Sequence, residues 1–235
     1  MAQSLCRLDD FKDNCGFGLI AHIKGNPSHK LLLNAIQALT CMTHRGGVAA
    51  DGKTGDGCGL LLQKPDSFLR TVVKETLQIE LPELYAVGAV MLNTDAVKRA
   101  TAKDILEQEL RAQGLQVLGW REVPTDSNCL GPIALESLPA FEQVFIAPGD
   151  IADEKHFSAR LYMGRRKAEK QLTEDDLFHI ASLGTKILSY KGLMMPVDLP
   201  GFYLDLADER LETAICVFHQ RFSTNTMPSW PLAQP

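Results

Sequence analysis

No CxxC pair occurs among the six cysteines of this 235-residue sequence. That absence argues against a zinc ribbon and against the disulfide framework of a small secreted scaffold. It favours a cytoplasmic protein with reduced thiols. Long apolar runs are also missing, and nothing approaches the roughly 20 residues that cross a bilayer. The first 14 residues carry Asp9, Asp10 and Asp13 without an apolar stretch, so they do not read as a secretory signal. Basic blocks are scarce too. Arg165-Arg166-Lys167 is short and flanked by acids, and the net charge of −5 gives no reason to expect nucleic acid. There is no internal repeat, low-complexity tract or interdomain linker.

What is present suits a soluble globular chain: hydrophobic residues make up 45% and charged residues 23%. The length allows one large domain or two small ones, with a sizeable core. Gly16 to Ile23 reads as a strand beginning abruptly after a polar, acidic leader. Asn26-Pro27-Ser28 supplies helix-start chemistry, and Leu32, Ala35, Ile36, Leu39 and Met42 follow at helical spacing. The helix should stop near His44-Arg45-Gly46-Gly47. Strands are expected at Leu60–Leu62, Tyr85–Leu92, Leu115–Val123, Phe141–Ala147 and Thr213–His219. Helices are expected over Thr94–Gln113 and around Ser158–Leu172. Leu177–Leu183 and Thr185–Lys191, separated by Gly184, suggest a hairpin. Strands come in adjacent pairs as often as they alternate with helices, so the expected class is α+β with mainly antiparallel sheets.

Gly47-Val48-Ala49-Ala50-Asp51-Gly52-Lys53-Thr54 matches the phosphate-loop pattern G-x-x-x-x-G-K-[ST]. The mechanism of such a loop needs a strand before it and a helix starting at Lys-Thr. Here a helix precedes, and Gly55-Asp56-Gly57-Cys58-Gly59 follows, with three glycines that weaken any helix nucleated there. A tight glycine-rich turn is the better reading.

Cys15 sits where the leader ends and the first strand begins. Cleavage between Asn14 and Cys15 would place a free α-amino group on the same residue. Such an amine has a pKa of about 7.7–8.0, against roughly 8.5 for a thiol. It can therefore act as the base that a cysteine nucleophile needs. Without that cleavage, the ordinary reading of any single cysteine is a buried, inert thiol. Arg221, taken alone, reads as a surface salt-bridge residue. His22, His44 and His219 lie in or beside apolar elements at no metal-ligand spacing, and read as structural. Cys58 follows a glycine turn with nothing to supply it a base, and Asp56 reads as a residue ordering its own glycine loop.

Asp13-Asn14-Cys15-Gly16-Phe17-Gly18-Leu19-Ile20-Ala21-His22-Ile23-Lys24-Gly25 resembles the start of the mature amidotransferase domain of glutamate synthase large subunits. Pro27-Ser28-His29-Lys30, Thr43-His44-Arg45-Gly46 and Thr54-Gly55-Asp56-Gly57-Cys58-Gly59 continue the pattern in order. Tyr190-Lys191-Gly192, Phe218-His219-Gln220-Arg221-Phe222-Ser223-Thr224-Asn225-Thr226 and Pro228-Ser229-Trp230-Pro231 complete it. The resemblance implies a class II glutamine amidotransferase with the four-layer αββα sandwich of amino-terminal-nucleophile hydrolases. It also implies removal of residues 1–14, leaving 15–235 as a partial amidotransferase domain, incomplete at the C-terminus.

By that similarity Cys15 is the nucleophile that attacks the side-chain amide of L-glutamine, and Arg221 grips the substrate's α-carboxylate. Thr224 and Asn225 match positions in the same binding loop. Arg45 lies near the pocket by analogy, with a scaffold arginine as its other reading. The family's Asn-Gly oxyanion pair follows the Trp-Pro-Leu-Ala-Gln-Pro segment, and no Asn-Gly occurs here. The expectation is therefore a piece of a longer polypeptide, inactive by itself. No metal or cofactor is expected in this segment. FMN and an iron–sulfur cluster, 2-oxoglutarate chemistry and a small NADPH-dependent electron-donating subunit are expected of the intact bacterial synthase. An amidotransferase serving another acceptor, or a non-catalytic fragment, are the other readings.

Overall fold

A computed structural model describes residues 15–223 and 226–235. The expected leader, residues 1–14, and the expected binding residues Thr224 and Asn225 lie outside the described residues. The first strand, β1 (Gly16–Ala21), leads to helix α1 (His29–Cys41). The hydroxyl of Ser28 accepts the Leu31 N–H and caps that helix. Leu31, Leu32, Ala35, Ile36 and Leu39 then form one buried stripe along it. A 3-10 turn over Thr43–Arg45 ends the helical stretch. Strand β2 (Cys58–Gln63), helix α2 (Asp66–Leu77) and strand β3 (Ala86–Leu92) follow.

The middle of the chain is α3 (Ala96–Ala112), β4 (Gln116–Glu122), the short α4 (Pro132–Glu136), β5 (Ala140–Ala147) and α5 (Glu154–Gln171). Asp95 and Asp153 cap α3 and α5 by accepting first-turn amides. Then come β6 (His179–Gly184), β7 (Ile187–Gly192), the single-turn α6 (Leu199–Phe202) and β8 (Ile215–Gln220). None of these helices is long and apolar enough to cross a membrane.

The eight strands form two four-stranded sheets, ordered β1-β8-β2-β7 and β4-β5-β3-β6, and every pairing is antiparallel. One core joins α1 and α2 to Leu60, Leu62, Cys216 and Phe218 of the first sheet and to Val87, Met91, Phe141 and Phe145 of the second. A separate cluster buries the other face of the second sheet under α3 and α5. There Ala86, Val90, Val144 and Ile146 meet Leu106, Leu110, Phe157 and Leu161. The α+β class with antiparallel sheets and helical layers is thus the observed architecture.

The expected hairpin does not form. Strand β6 pairs with β3 in the second sheet and β7 pairs with β2 in the first, so Thr185-Lys186 carries the chain from one sheet to the other. The reason is that each strand buries its apolar residues in a different place. Ile180 of β6 packs under α3 and α5, whereas Leu188 and Tyr190 of β7 enter the shared core. A side-chain bond, Ser189 N–H to Ser182 Oγ at 3.1 Å, links the two strands where a ladder was expected.

A buried polar group ties the two sheets together. Arg121 of β4 donates to both carboxylate oxygens of Asp205 at 2.9 and 2.6 Å, and the Tyr190 hydroxyl donates to the same carboxylate at 2.9 Å. Paired charges in such a place are costly to break, because one partner would be left buried alone.

Candidate active site

Three neighbouring strand ends build the site. In the first sheet Gly16 of β1 and Cys58 of β2 both pair with Gln220 of β8. Residue 15 just before β1, residues 56–57 just before β2 and residues 221–223 just after β8 therefore meet at one edge. Residues distant in sequence converge because antiparallel pairing brings two strand starts beside one strand finish.

Cys15 and the segment after β8 are in direct contact. The Phe222 N–H donates to Cys15 Sγ at 3.3 Å, and Sγ lies 3.7 Å from the Phe222 carbonyl oxygen. Next to Phe222, the side chain of Arg221 is buried. Its guanidinium donates to the Asp56 carbonyl oxygen at 3.3 Å and to Thr226 Oγ1 at 2.5 Å. These acceptors are neutral, and Arg221 has no carboxylate partner among the described residues. A buried guanidinium in that position is suited to a planar carboxylate, which can accept two parallel charge-assisted bonds.

Arg45 stands close by. Its Cβ and Cγ lie 3.2 and 3.4 Å from where a side chain on Gly16 would begin, and the residue is otherwise exposed. The two glycines after it are required by packing. A Cβ on Gly46 would stand 1.6 Å from Gln220 Nε2, and one on Gly47 would stand 2.4 Å from Asp56 Oδ2. The turn after α1 has no side chains there because Gln220 and Asp56 fill the space.

Asp56 differs from its sequence reading. Its N–H does bond within the glycine loop, to the Gly47 carbonyl at 3.1 Å. The carboxylate, however, accepts the Ser223 N–H at 2.5 Å, from a residue 167 positions away. Sequence reasoning missed Phe222, Ser223 and Thr226 as members of the site, since their contributions come through backbone groups and a local hydroxyl. The only signal was their place inside the motif after β8.

The neighbouring loop disposes of phosphate binding. Asp51 Oδ1 accepts the Lys53 and Thr54 N–H groups at 3.0 and 2.8 Å, and Oδ2 accepts the Thr54 hydroxyl at 2.6 Å. The Ile133 N–H adds a fourth bond and ties the loop to α4. The amides a phosphate would need are held by the chain's own carboxylate. Those bonds, led by that from Thr54, keep the Asp51 carboxyl well below the usual range.

Two further thiols and the imidazoles noted in the sequence have other surroundings. Burial pushes Cys58 far above the ordinary thiol range and Cys216 up to about 12, which suits inert core cysteines. His219 is pushed down by burial and by the nearby Arg221 charge. His22 accepts the Asn26 N–H through Nδ1 at 3.1 Å, and His44 lies exposed in the 3-10 turn. Among the described residues no three His, Cys, Asp or Glu side chains converge as a metal site would require.

Residues 15–235 match the family described as glutamine amidotransferases class-II. The chain is 41% identical over 238 residues to the glutamate synthase [NADPH] large chain of Bacillus subtilis, covering all of this chain and 16% of that protein. It is 39% identical over 226 residues to ferredoxin-dependent glutamate synthase 2 of Synechocystis, covering 95% of this chain and 14% of the relative. Against the glutamate synthase [NADH] of Saccharomyces cerevisiae it is 38% identical over 236 residues, covering 95% and 11%. The chain thus spans about one-sixth or less of the length of these relatives and aligns with them nearly end to end. It belongs to the class-II glutamine amidotransferases.

Proposed function

We propose that this chain is the glutamine-hydrolysing part of a glutamate synthase, acting through Cys15 as an amino-terminal nucleophile after residues 1–14 are removed. The observation that carries the reading is a half-buried thiol held against Phe222, next in sequence to a buried arginine without a carboxylate partner among the described residues. Arg221 takes the α-carboxylate of glutamine. Thr224 and Asn225 belong to the same binding loop, and Arg45 borders the pocket from the turn after α1. The amide carbon then reaches the thiol at the other end of the substrate's side chain.

The α-amine of Cys15 takes the thiol proton, and sulfur adds to the amide carbon. The same proton passes to the departing nitrogen, so the C–N bond breaks and ammonia leaves. Water then adds to the thioester carbon. The C–S bond breaks, glutamate departs and the thiol is restored. The local amine suits this work because its ordinary pKa lies near neutral pH. In the longer polypeptide the ammonia meets 2-oxoglutarate in a synthase portion. FMN and an iron–sulfur cluster, reduced by a small NADPH-dependent subunit, supply the reducing chemistry there. The electron-donor names of the relatives, NADPH, ferredoxin and NADH, belong to those proteins.

The test uses the full-length gene product. Cys15→Ala should abolish glutamine-dependent glutamate formation and leave ammonia-dependent formation intact. Equal loss of both in a folded variant would contradict the assignment. Glutamine hydrolysis without any ammonia-dependent glutamate formation would favour an amidotransferase serving another acceptor.

A further inference from the structure

The three residues after β8 alternate in direction. The N–H of Arg221 donates to the Gly57 carbonyl at 2.9 Å, and that of Ser223 donates to the Asp56 carboxylate at 2.5 Å. Between them, the Phe222 N–H points the other way, to Cys15 Sγ. Successive amides of extended backbone face opposite sides, so holding residues 221 and 223 on the 56–57 turn directs the amide of residue 222 at the thiol. Asp56 also receives the Arg221 guanidinium through its main-chain carbonyl.

We propose that Asp56 is a positioning residue of the glutamine site. Its carboxylate fixes residues 221–223 so that the Arg221 guanidinium and the Phe222 N–H are both presented to the substrate and thiol. The inference rests on the function proposed above. Its own content is that a carboxylate distant in sequence sets the geometry of the binding arm. Asp56 is 8% exposed and fills the space left by Gly47, so the carboxylate is held from both sides. Only an acceptor oxygen is needed at this position, and the negative charge takes no part in proton transfer. Removing the acceptor leaves this half-buried N–H without its partner and frees the arm.

Asp56→Ala and Asp56→Asn in the full-length gene product test this, with Ser223→Pro as a third variant that removes the donor and keeps the acid. Asp56→Ala and Ser223→Pro should each raise the KM for glutamine about tenfold or more, with a smaller change in kcat, the size expected when a hydrogen bond to a charged group is lost. Asp56→Asn should stay within about threefold of the unsubstituted protein, because the amide oxygen still accepts. Alkylation of Cys15 by iodoacetamide at about pH 8 reads the thiol's surroundings without glutamine. It should slow about threefold or more in Asp56→Ala and Ser223→Pro but not in Asp56→Asn.

Loss of kcat at normal KM in both Asp56 variants would overturn the proposal and give the carboxylate a proton-transfer role. Unchanged KM and alkylation in Asp56→Ala would overturn it outright. Should Asp56→Ala fail to fold, Ser223→Pro and Asp56→Asn decide by the same measurements. If the unsubstituted protein does not hydrolyse glutamine, the functional reading fails, and the alkylation series alone decides whether Asp56 sets the arm.

Discussion

The second sheet is covered on both faces and holds no residue of the site, whereas the site gathers at the strand ends of the first. The outer face of that first sheet is covered only toward β7, where Ser189 and Lys191 donate to the Pro235 and Pro231 carbonyls. On β3 and β5, alternate residues enter the shared core and the cluster under α3 and α5. On β1, Phe17 and Leu19 are 78% and 62% exposed. Pairing places Leu19, Val217, Leu61 and Ser189 in one row across the first sheet, with Ile215 and Ile187 in the next. A groove of about 520 Å³ runs over Leu61, Ile187, Ile215 and Val217. Packing and chemistry are thus unequally shared. Strands β3 and β5 contribute to both apolar clusters, while the strand ends of the first sheet bring Cys15, Asp56 and Arg221 together.

Substitutions that strike each sheet separately sharpen this contrast. The largest effect on stability belongs to the second sheet's helical cover. Phe157→Ala should lower unfolding free energy by about 3–5 kcal/mol in urea titrations, the usual loss for a fully buried phenylalanine. Only a small loss there would mean that the α3–α5 layer is not part of the stable unit.

Next comes an effect of pH where the sheets meet. Burial, together with the charges of Lys191 and Arg165, pushes His179 of β6 down to about 3. The imidazole is therefore neutral when folded but takes a proton below about 6.5 when unfolded. Its contribution is present above that value and is lost as pH falls from about 6.5 to about 3. The acid destabilisation of His179→Gln over that window should be smaller by roughly 2–4 kcal/mol. An unchanged acid limb would show that His179 does not titrate in this way.

Gly46→Ala tests the first sheet at the site. The new methyl would overlap Gln220, which is fully buried and has no open space to enter. The expected cost is about 1–3 kcal/mol by thermal unfolding, accompanied by loss of glutamine turnover, since Gln220 precedes Arg221. At the small end, Leu19→Thr on the uncovered face should change the stability of this 235-residue chain by about 0.5 kcal/mol or less. A loss of several kcal/mol would mean that the face is covered in solution.

How far the sequence reached differs between the sheets for physical reasons. Strand β3 was legible because burial on both faces leaves a continuous apolar run, and β5 because its Val144–Ala147 end does the same. Helix α1 was legible from its stripe and the Ser28 cap. Helix α2 was overlooked although Phe68, Leu69, Val72 and Val73 form a proper stripe. It opens behind Pro65 with no side-chain cap, and its first turn is held by Arg70 bonding Asp66 and the Leu81 carbonyl. The false hairpin arose because strand pairing is decided by which core each strand enters, and a short apolar run does not record that. At the site, Cys15, Arg45 and Arg221 stood out through their motifs. The bond from Ser223 to Asp56 is a tertiary contact that no local pattern encodes, whereas the Asp51 bonds to Lys53 and Thr54 are local and follow the ordinary turn chemistry of aspartate.

The central claim is that Cys15 is the reacting thiol of a glutamine site completed by Arg221. The most direct measurement is intact and peptide mass spectrometry of the full-length gene product after treatment with a diazoketone analogue of glutamine. The predicted result is one adduct, on Cys15 at a free amino-terminus, blocked by excess glutamine and greatly slowed by Arg221→Ala. An adduct on Cys41, Cys58, Cys129 or Cys216, or labelling of Cys15 indifferent to glutamine and to Arg221, would contradict it.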